Sequence, residues 1–264
     1  MALTVEGLSC GYGNTCVVEQ ASFALDQGRV IAVLGPNGVG KTTLFKAVLG
    51  FIPARKGSIV VDDSPITSLS RSQIAQRIAY VPQQQTLPFS YTVEDVVLMG
   101  RAPYLRLLQQ PGPEDYAAVK HALALMGIDH LAKKACSEIS GGELQMAFVA
   151  RALAQQPRYL IMDEPTASLD FGNQMHVLER IMSLAEQGIG VLLTTHDPTQ
   201  AFTLKSDVLL MQRESRQQYG YYRDVLTEDA LRRTYGVDVL VRSVPHEGRS
   251  VECCMALPKN RRAK

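Results

Sequence analysis

The stretch Gly35-Pro36-Asn37-Gly38-Val39-Gly40-Lys41-Thr42-Thr43 decides the fold of this chain. It fits the pattern G-x-x-x-x-G-K-[ST], in which a glycine-rich loop binds phosphate groups. Glycines allow the loop backbone to turn inward, so that successive N–H groups point at phosphate oxygens. A lysine at this place neutralises the β- and γ-phosphates, and the hydroxyl after it is a ligand for Mg²⁺. The stretch therefore predicts a nucleotide-phosphate site that uses Lys41 and Thr42.

The residues on either side of this loop supply the structural context that the pattern requires. Residues 29–34 form a short apolar, β-branched segment, which predicts a buried strand. Residues 43–50 predict a helix that ends at Gly50, before Pro53. A helix N-terminus adds partial positive charge beside a bound phosphate. The alternative, a chance match in a glycine-rich turn, does not explain this strand–loop–helix order.

Composition is that of an ordinary globular protein. The 264 residues suit one large domain, or one domain with an inserted lobe, and 46% of them are hydrophobic and 20% charged. The formal net charge is +1, which gives no indication of nucleic-acid binding. The basic tail of residues 259–264 is interpreted as a solvated end.

The cysteine spacing favours a protein of a reducing compartment, and the hydropathy indicates neither a signal peptide nor a membrane span. The five cysteines show no C-x-x-C pair and no metal-type spacing, so we expect free thiols. The N-terminus lacks the basic and apolar regions of a signal peptide. No apolar run approaches the length of a membrane span. If the protein acts at a membrane, we expect it to do so through a partner.

Polar residues follow three of the predicted strands. Gln83 follows the strand of residues 78–81 in a Pro-Gln-Gln-Gln loop (residues 82–85), Asp163 and Glu164 follow residues 159–162, and His196 follows residues 190–195. In open α/β folds, ligands bind outside the carboxyl ends of strands.

Each of these residues has a candidate role. Asp163 would hold Mg²⁺, and Glu164 would orient or deprotonate a water molecule. Gln83 would reach the metal or the water through its amide oxygen, and His196 would hydrogen-bond a γ-phosphate. Taken alone, Gln83 also fits an exposed loop residue and His196 a structural histidine.

Residues between about 84 and 158 predict a helical lobe. Thr92 and Asp95 form a capping box that starts one helix. Residues 115–126 have helical periodicity. The apolar residues that carry this periodicity are Tyr116, Val119, Leu123 and Met126.

The lobe ends with a helix that opens on Ser140-Gly141-Gly142-Glu143. Ser140 and Glu143 form a second capping box. Two glycines in a first turn destabilise a helix by about 1 kcal/mol each. We therefore expect a close approach there, for instance by a phosphate.

The remaining segments complete the expected order of elements. Residues 3–8 predict a strand, and Tyr12 follows in a turn of residues 11–13, where its ring could stack on a base or simply pack. The helix after residue 170 carries a stripe expected to face the core. The residues of that stripe are Met175, Leu178, Ile181, Met182 and Ala185. Further predicted strands are residues 57–62, 207–211, 218–222, 237–241 and 250–254, and further predicted helices are residues 71–77 and 227–235.

Together these motifs resemble the ATP-binding subunit of an ATP-binding-cassette (ABC) transporter, over residues 3 to about 211. Residues 35–43 match Walker A, Gln83 the Q-loop, residues 140–142 the signature, and residues 160–164 Walker B. Tyr12, the D-loop of residues 168–170 and the switch residue His196 complete the ordered set. The resemblance implies an α/β P-loop NTPase with a RecA-like mixed-sheet core, an N-terminal antiparallel β subdomain and an inserted helical signature lobe. It also implies that residues 1–264 form one ABC ATPase domain, with a C-terminal extension from about residue 212.

The resemblance assigns a role to each matching residue. Glu164, His196 and Gln83 would act in catalysis, and Thr42, Gln83 and Asp163 would hold Mg²⁺. ATP would be bound by Tyr12, Gly35, Pro36, Asn37, Gly38, Gly40, Lys41, Thr42, Thr43, Ser140, Gly141, Gly142 and Asp170. Two copies would form a head-to-tail dimer that encloses two ATP molecules, each between Walker A of one chain and the signature of the other.

The signature departs from the family pattern LSGGQ at two places, because this chain has ISGGE and then Leu144. Glu143 places a negative charge near the expected phosphate. The capping-box interpretation turns that carboxylate back onto its own helix. Leu144 stands where a basic or polar residue is common, which would affect contacts with a partner.

Residues 91–104 and 226–238 resemble the subfamily that serves importers of iron–siderophores, haem, cobalamin and related chelates or oxyanions. This resemblance implies polytopic permease subunits as partners, a substrate-binding protein as an indirect one, and a peripheral location on the cytoplasmic face of the cell membrane. The alternatives are a soluble ABC ATPase without a transport role, an export subunit, and a small-molecule kinase. No long coiled-coil insertion or second cassette supports the first, and a kinase leaves the signature unexplained.

Overall fold

The computed structural model describes residues 1–83, 87–106, 108–213 and 216–258. The chain divides into two compact units. The first unit contains Met1–Leu3, Leu25–Arg29 and Val60–Leu193, and the second contains Thr4–Ala24, Val30–Ile59 and Thr194–Lys264. The predicted loop residues Gln84 and Gln85, the predicted start of the helical lobe at residue 84 and the basic tail of residues 259–264 lie outside the described residues.

Strands and helices follow one another along the described ranges. The strands are β1 (Ala2–Tyr12), β2 (Thr15–Asp26), β3 (Val30–Leu34), β4 (Lys56–Val61), β5 (Ser64–Pro65), β6 (Ile78–Val81), β7 (Tyr159–Met162), β8 (Gly190–Thr195), β9 (Asp207–Met211), β10 (Gln217–Tyr221), β11 (Asp238–His246) and β12 (Arg249–Leu257). The α-helices are α1 (Lys41–Val48), α2 (Arg71–Ala75), α3 (Val93–Leu98), α4 (Pro113–Met126), α5 (Gly141–Leu153), α6 (Phe171–Glu186), α7 (Pro198–Leu204), α8 (Tyr222–Val225) and α9 (Glu228–Tyr235).

In the first unit, β6, β7 and the start of β8 pair in parallel. Ile78 pairs with Tyr159, and Tyr159 pairs with Gly190, so the three strands begin level with one another. Nearly all of their residues are buried, as expected for a parallel sheet that is covered on both faces. The register brings the residues after β6 and β7 together. The N–H of Asp163 accordingly donates to the carbonyl of Val81 at 2.8 Å.

Helices α3, α4 and α5 lie between β6 and β7 in the chain and pack on one another. The predicted capping box of α3 is confirmed, because Thr92 and Asp95 each accept the other's backbone N–H. Helix α4 begins at Pro113, which suits a first helical position because proline lacks the N–H that would be unpaired there.

A buried ion pair joins the start of α4 to the turn after α3. Arg101 Nε lies 2.8 Å from Asp115 Oδ1, and the two side chains are 7% and 11% exposed. The Arg101 guanidinium also donates to the carbonyl of Ala154, after α5, and stacks 4.0 Å from the ring centroid of Tyr104. Arg101 therefore ties the three helices together.

In the second unit, β3 and β9 pair in parallel and β10 pairs antiparallel with β9. Helix α1 follows β3 through the glycine-rich loop. Strands β11 and β12 form an antiparallel hairpin, which contacts α7 through β12 and α9 through β11. The C-terminal residues of the described chain thus pack within the unit that carries the glycine-rich loop.

Several local expectations were wrong. Gly11 and Tyr12, predicted in a turn, are the last residues of β1, and β2 was not predicted. Tyr116 was expected on the buried stripe of α4, but it is 48% exposed. On α6, Met175 and Met182 are only half-buried, because the helix turns Val177 and Leu184 to the core instead.

Across the described ranges, no helix combines the length and hydropathy that a membrane span requires.

Candidate functional site

The glycine-rich loop has the backbone conformation that its sequence predicts. Gly35, Gly38 and Gly40 have φ angles of 153°, 79° and 110°, which favour glycine. A Cβ atom on Gly40 would also lie 3.0 Å from methyl groups of Val17 and Val18. Glycine is therefore required at position 40 for both its conformation and the space around it.

Lys41 lies at the start of α1 and is only 7% exposed. Its ammonium group donates to the carbonyl of Gly35 at 2.7 Å and to that of Pro36 at 3.5 Å. Thr42 is exposed in the first turn, whereas Thr43 is buried and its carbonyl accepts the thiol of Cys10 at 3.9 Å.

A cavity of about 260 Å³ borders this loop. It is lined by Val17, Pro36, Asn37, Gly38, Val39, Gln212 and Arg213. The loop is therefore accessible on this side.

Burial raises the pKa of Cys10 to about 11, so its thiol behind the loop stays neutral.

Two further predicted residues of the second unit are exposed. The ring of Tyr12 is 46% exposed, with the ammonium of Lys46 5.7 Å from its centroid. His196 is exposed at the end of β8. The next residue, Asp197, is held by two bonds, because its N–H donates to Thr195 Oγ1 at 3.1 Å and its carboxylate accepts the N–H of Thr199 at 2.8 Å. These bonds fix the backbone that carries His196.

In the first unit, the structure brings Gln83 and Glu164 together. Gln83 Nε2 donates to Glu164 Oε2 at 2.8 Å, although the residues are 81 positions apart in the sequence. Glu164 has a φ angle of 48°, a left-handed conformation that is uncommon for a residue other than glycine. Such conformations persist where the surroundings hold them, and they occur often at functional sites.

Asp163 precedes Glu164 and is only 4% exposed. Its negative charge acts on Tyr80 of the neighbouring strand, where burial, with a smaller effect of this charge, raises the pKa of the phenol to about 12. Tyr80 is therefore protonated at neutral pH. The Asp163 carboxylate thus lies in a largely buried setting at the carboxyl end of β7.

The N-terminus of α5 has the predicted capping box. Ser140 Oγ accepts the N–H of Glu143 at 3.3 Å, and Glu143 Oε2 accepts the N–H of Ser140 at 2.7 Å. The bond from the Ser140 backbone N–H, followed by a smaller effect of the Ser140 side chain, lowers the pKa of Glu143. The carboxylate therefore turns back onto its own helix, as expected for this departure from the signature pattern.

The two signature glycines differ in their surroundings. Gly141 has open space beside it, but a Cβ atom on Gly142 would lie 2.5 Å from Asn173 Oδ1. The close approach at Gly142 is thus made by a side chain of the same unit. Asn173 in turn donates both its N–H and its side-chain amide to Asp170, at 2.8 Å each. Both bonds lower the pKa of Asp170, and the bond from the Asn173 backbone N–H has the larger effect.

Asn173 was not identified from the sequence, although a signal was present. It stands three residues after Asp170, the spacing at which an N-cap side chain accepts a backbone N–H. A surface cavity of about 430 Å³ borders this contact, between the starts of α5 and α6 and the end of α4.

A family model described as ABC transporter matches residues 18–167. The chain is 36% identical to the "Hemin import ATP-binding protein HmuV" of Bordetella pertussis, over 93% of this chain and 96% of that protein. It is 35% identical to the "Molybdate import ATP-binding protein MolC" of Haemophilus influenzae, over 87% and 86% of the two chains.

The solved structures include one described as an inward-facing conformation of a putative metal-chelate type ABC transporter. It superposes with a TM-score of 0.88 at 33% sequence identity and covers 98% of both chains. This likeness confirms the predicted fold class, with a mixed sheet, an N-terminal antiparallel β subdomain and helices.

Proposed function

The chain belongs to the ABC transporter family, and from that membership we propose that it is the subunit that binds and hydrolyses ATP to drive a membrane importer. Family membership rests on the match to residues 18–167 and on relatives that align with most of the chain. Import is favoured because two of these relatives are named as ATP-binding proteins of hemin and molybdate import.

In this proposal, the glycine-rich loop binds the phosphates of ATP. The loop N–H groups of residues 35–43 and the ammonium of Lys41 would contact the phosphate oxygens, and the exposed ring of Tyr12 would stack on the adenine. Thr42, Gln83 and Asp163 offer a hydroxyl, an amide and a carboxylate oxygen, which are donors that Mg²⁺ prefers. The metal would neutralise the charge of the phosphates.

Glu164 is the proposed general base. It would take a proton from a water molecule, whose oxygen bonds to the γ-phosphorus while the bond to the β–γ bridging oxygen breaks, giving ADP and inorganic phosphate. His196 would hydrogen-bond the γ-phosphate. The observation that carries this assignment is the 2.8 Å bond from Gln83 to Glu164, because it orients the carboxylate that the reaction requires.

The signature would act in a second copy of the chain. Ser140, Gly141, Gly142 and Asp170 would contact the ATP bound by the partner copy. The α5 N-terminus suits this role, because Gly141 is exposed and unobstructed. ATP would then hold the two copies together until it is hydrolysed.

The remaining assignments concern partners and cargo. Polytopic permease subunits would bind this chain at the cytoplasmic face of the cell membrane, and a substrate-binding protein would deliver the cargo. We propose a metal chelate or a related oxyanion as cargo, because the similar structure is described as metal-chelate type and the named relatives handle hemin and molybdate.

The first test combines ATP hydrolysis with the identification of partners. Lys41→Ala should lower ATP binding at least tenfold, whereas Lys120→Ala, which removes an exposed lysine of α4, should leave it unchanged. Tagged protein isolated from detergent-solubilised membranes should carry a polytopic permease in near-equal amount. Unchanged binding by Lys41→Ala would overturn the phosphate site, and a purely soluble partner would overturn the transport role.

A further inference from the structure

The last turn of α9 contains a buried hydroxyl group that needs an explanation. Tyr235 Oη is buried and has no hydrogen bond within the part of the chain that the structure describes. Buried polar groups in native proteins are nearly always paired, so an unpaired one points to a function in another state of the molecule.

Three groups from separate segments act electrostatically on this buried hydroxyl. They are the backbone N–H of Gly35, the carboxylate of Asp197 and the thiol of Cys254. Burial raises the pKa of Tyr235, while the Gly35 N–H opposes the rise. The phenol is therefore protonated at neutral pH, and its oxygen can accept a hydrogen bond from Gly35.

Gly35 is the first glycine of the phosphate loop, and its other contacts are close. A Cβ atom there would lie 2.4 Å from the carbonyl oxygen of Met211, so the residue is packed against the end of β9. Its own carbonyl accepts the Lys41 ammonium at 2.7 Å. A change in the orientation of the Gly35 residue would therefore alter the position of Lys41.

The C-terminal segment around Tyr235 is held together by several contacts. Gly236, with a φ angle of 70°, ends α9 in the left-handed conformation that is typical of a C-cap. Glu228, at the start of α9, accepts the N–H of Val241 at 2.9 Å and so ties β11 to the helix. On the neighbouring strand β12, Cys254 Sγ lies 3.8 Å from Thr199 Oγ1 of α7.

We propose that Tyr235 is a positioning residue for the phosphate loop, whose hydroxyl accepts the N–H of Gly35 when the loop binds the phosphates of ATP. The C-terminal segment of residues 222–257 then acts as a support that fixes Gly35 and, through its carbonyl, Lys41. This inference rests on the proposed function, because it assigns a role in ATP binding. The inference assigns the C-terminal segment a supporting role in the nucleotide site of its own chain.

The test compares two tyrosine-to-phenylalanine variants. Tyr235→Phe keeps the ring and removes the hydroxyl, and we expect the KM and Kd for Mg-ATP to rise about fivefold, with less than a twofold change in kcat. Tyr222→Phe is the matched control, because this buried hydroxyl of the same segment bonds to Glu252 instead. It should lower the melting temperature and leave the KM unchanged.

Amide hydrogen exchange gives a second readout that does not depend on turnover. With saturating Mg-ATP, the Gly35 amide should exchange at least tenfold faster in Tyr235→Phe than in the wild type, while Tyr222→Phe should match the wild type. An unchanged KM and unchanged exchange in Tyr235→Phe would overturn the inference alone. A wild-type protein that does not bind ATP would overturn the proposed function, and the inference with it.

Discussion

At the scale of single residues, the backbone of Glu164 stores strain beside the proposed reaction. A left-handed residue other than glycine is less stable by about 1–3 kcal/mol, so neighbouring contacts must hold it. Two such contacts are the Asp163 N–H donated to Val81 and the Gln83 amide donated to Glu164. Gln83 therefore orients the Glu164 carboxylate through its amide nitrogen, in addition to its predicted role as a ligand of the metal.

The ion pair of Arg101 and Asp115 makes a prediction about stability at the same scale. Asp115→Asn leaves the buried Arg101 charge without a charged partner, so we expect the free energy of unfolding at pH 7 to fall by about 3 kcal/mol. Glu114→Gln, at an exposed neighbouring position, should change it by less than 0.5 kcal/mol, roughly the usual range for surface substitutions. Urea titrations of the three proteins measure both values.

The pH dependence of this effect follows from the pKa of Asp115. The hydrogen bond from Arg101, with that from the Gly112 N–H, lowers the pKa of Asp115 in the folded protein. The unfolded state therefore binds the proton more readily, and the stabilisation is complete above the unfolded pKa of about 3.9. It is lost as the pH falls through the lower folded pKa. The difference between wild type and Asp115→Asn should thus shrink below about pH 4, and a constant difference would contradict the assignment.

At the scale of elements, Asn173 links the starts of two helices. Gly142→Ala would place a methyl group 2.5 Å from Asn173 Oδ1, which must then move and weaken its bonds to Asp170. We expect this variant to lose stability by about 1–2 kcal/mol, as overpacked sites do.

A second substitution separates the steric effect from a loss of phosphate contact. Asn173→Ala combined with Gly142→Ala removes the two closest atoms, Oδ1 and Cγ, and leaves only Cβ at 3.2 Å, so the melting temperature should recover part of its loss. Gly141→Ala is the control, because the space beside it is open. No recovery in the double variant would mean that Gly142 is required for a reason other than Asn173.

Some elements could be predicted from the sequence and others could not. The apolar run of residues 78–81 predicted both ends of β6 correctly. The capping boxes at Thr92 and Ser140 correctly predicted the starts of α3 and α5, since both signals are local. Strand β2 was missed although Ala21, Phe23 and Leu25 alternate with exposed residues, a pattern typical of a half-buried strand. Helix α7, seven residues long, was missed because it is too short to show a period.

For the candidate site, the sequence identified residue types in order but not their contacts. The bond between Gln83 and Glu164 joins positions 81 residues apart, and only the parallel register of β6 and β7 brings them together. Tyr235 lies in residues 226–238, whose resemblance to the chelate-importer subfamily gave it no individual role. Its significance depends on the folding of α9 beside the glycine loop.

At the scale of the whole molecule, the proposed mechanism predicts an ATP-dependent dimer. Glu164→Gln keeps the shape of the side chain but removes the general base, so ATP hydrolysis should fall by about 10²- to 10⁴-fold. The bound ATP would then remain between two copies. Light scattering after gel filtration should show twice the monomer mass with Mg-ATP, and the monomer mass with ADP.

The control for this dimer is the double variant Lys41→Ala/Glu164→Gln, which lacks the phosphate contact and should stay monomeric with Mg-ATP. If the single variant hydrolyses ATP at the normal rate, Glu164 is not the base. A dimer that forms equally well without nucleotide would mean that ATP is not the group that joins the copies.

The exposed ring of Tyr12 has a practical consequence for spectroscopy. The sequence contains ten tyrosines and no tryptophan, so phenol groups dominate its ultraviolet emission. The Tyr12 ring is 46% exposed at the end of a strand, so a larger aromatic ring fits there without repacking the core. Tyr12→Trp would give the protein a single indole fluorophore, whose quenching by a stacked purine would report occupancy of the base site in real time.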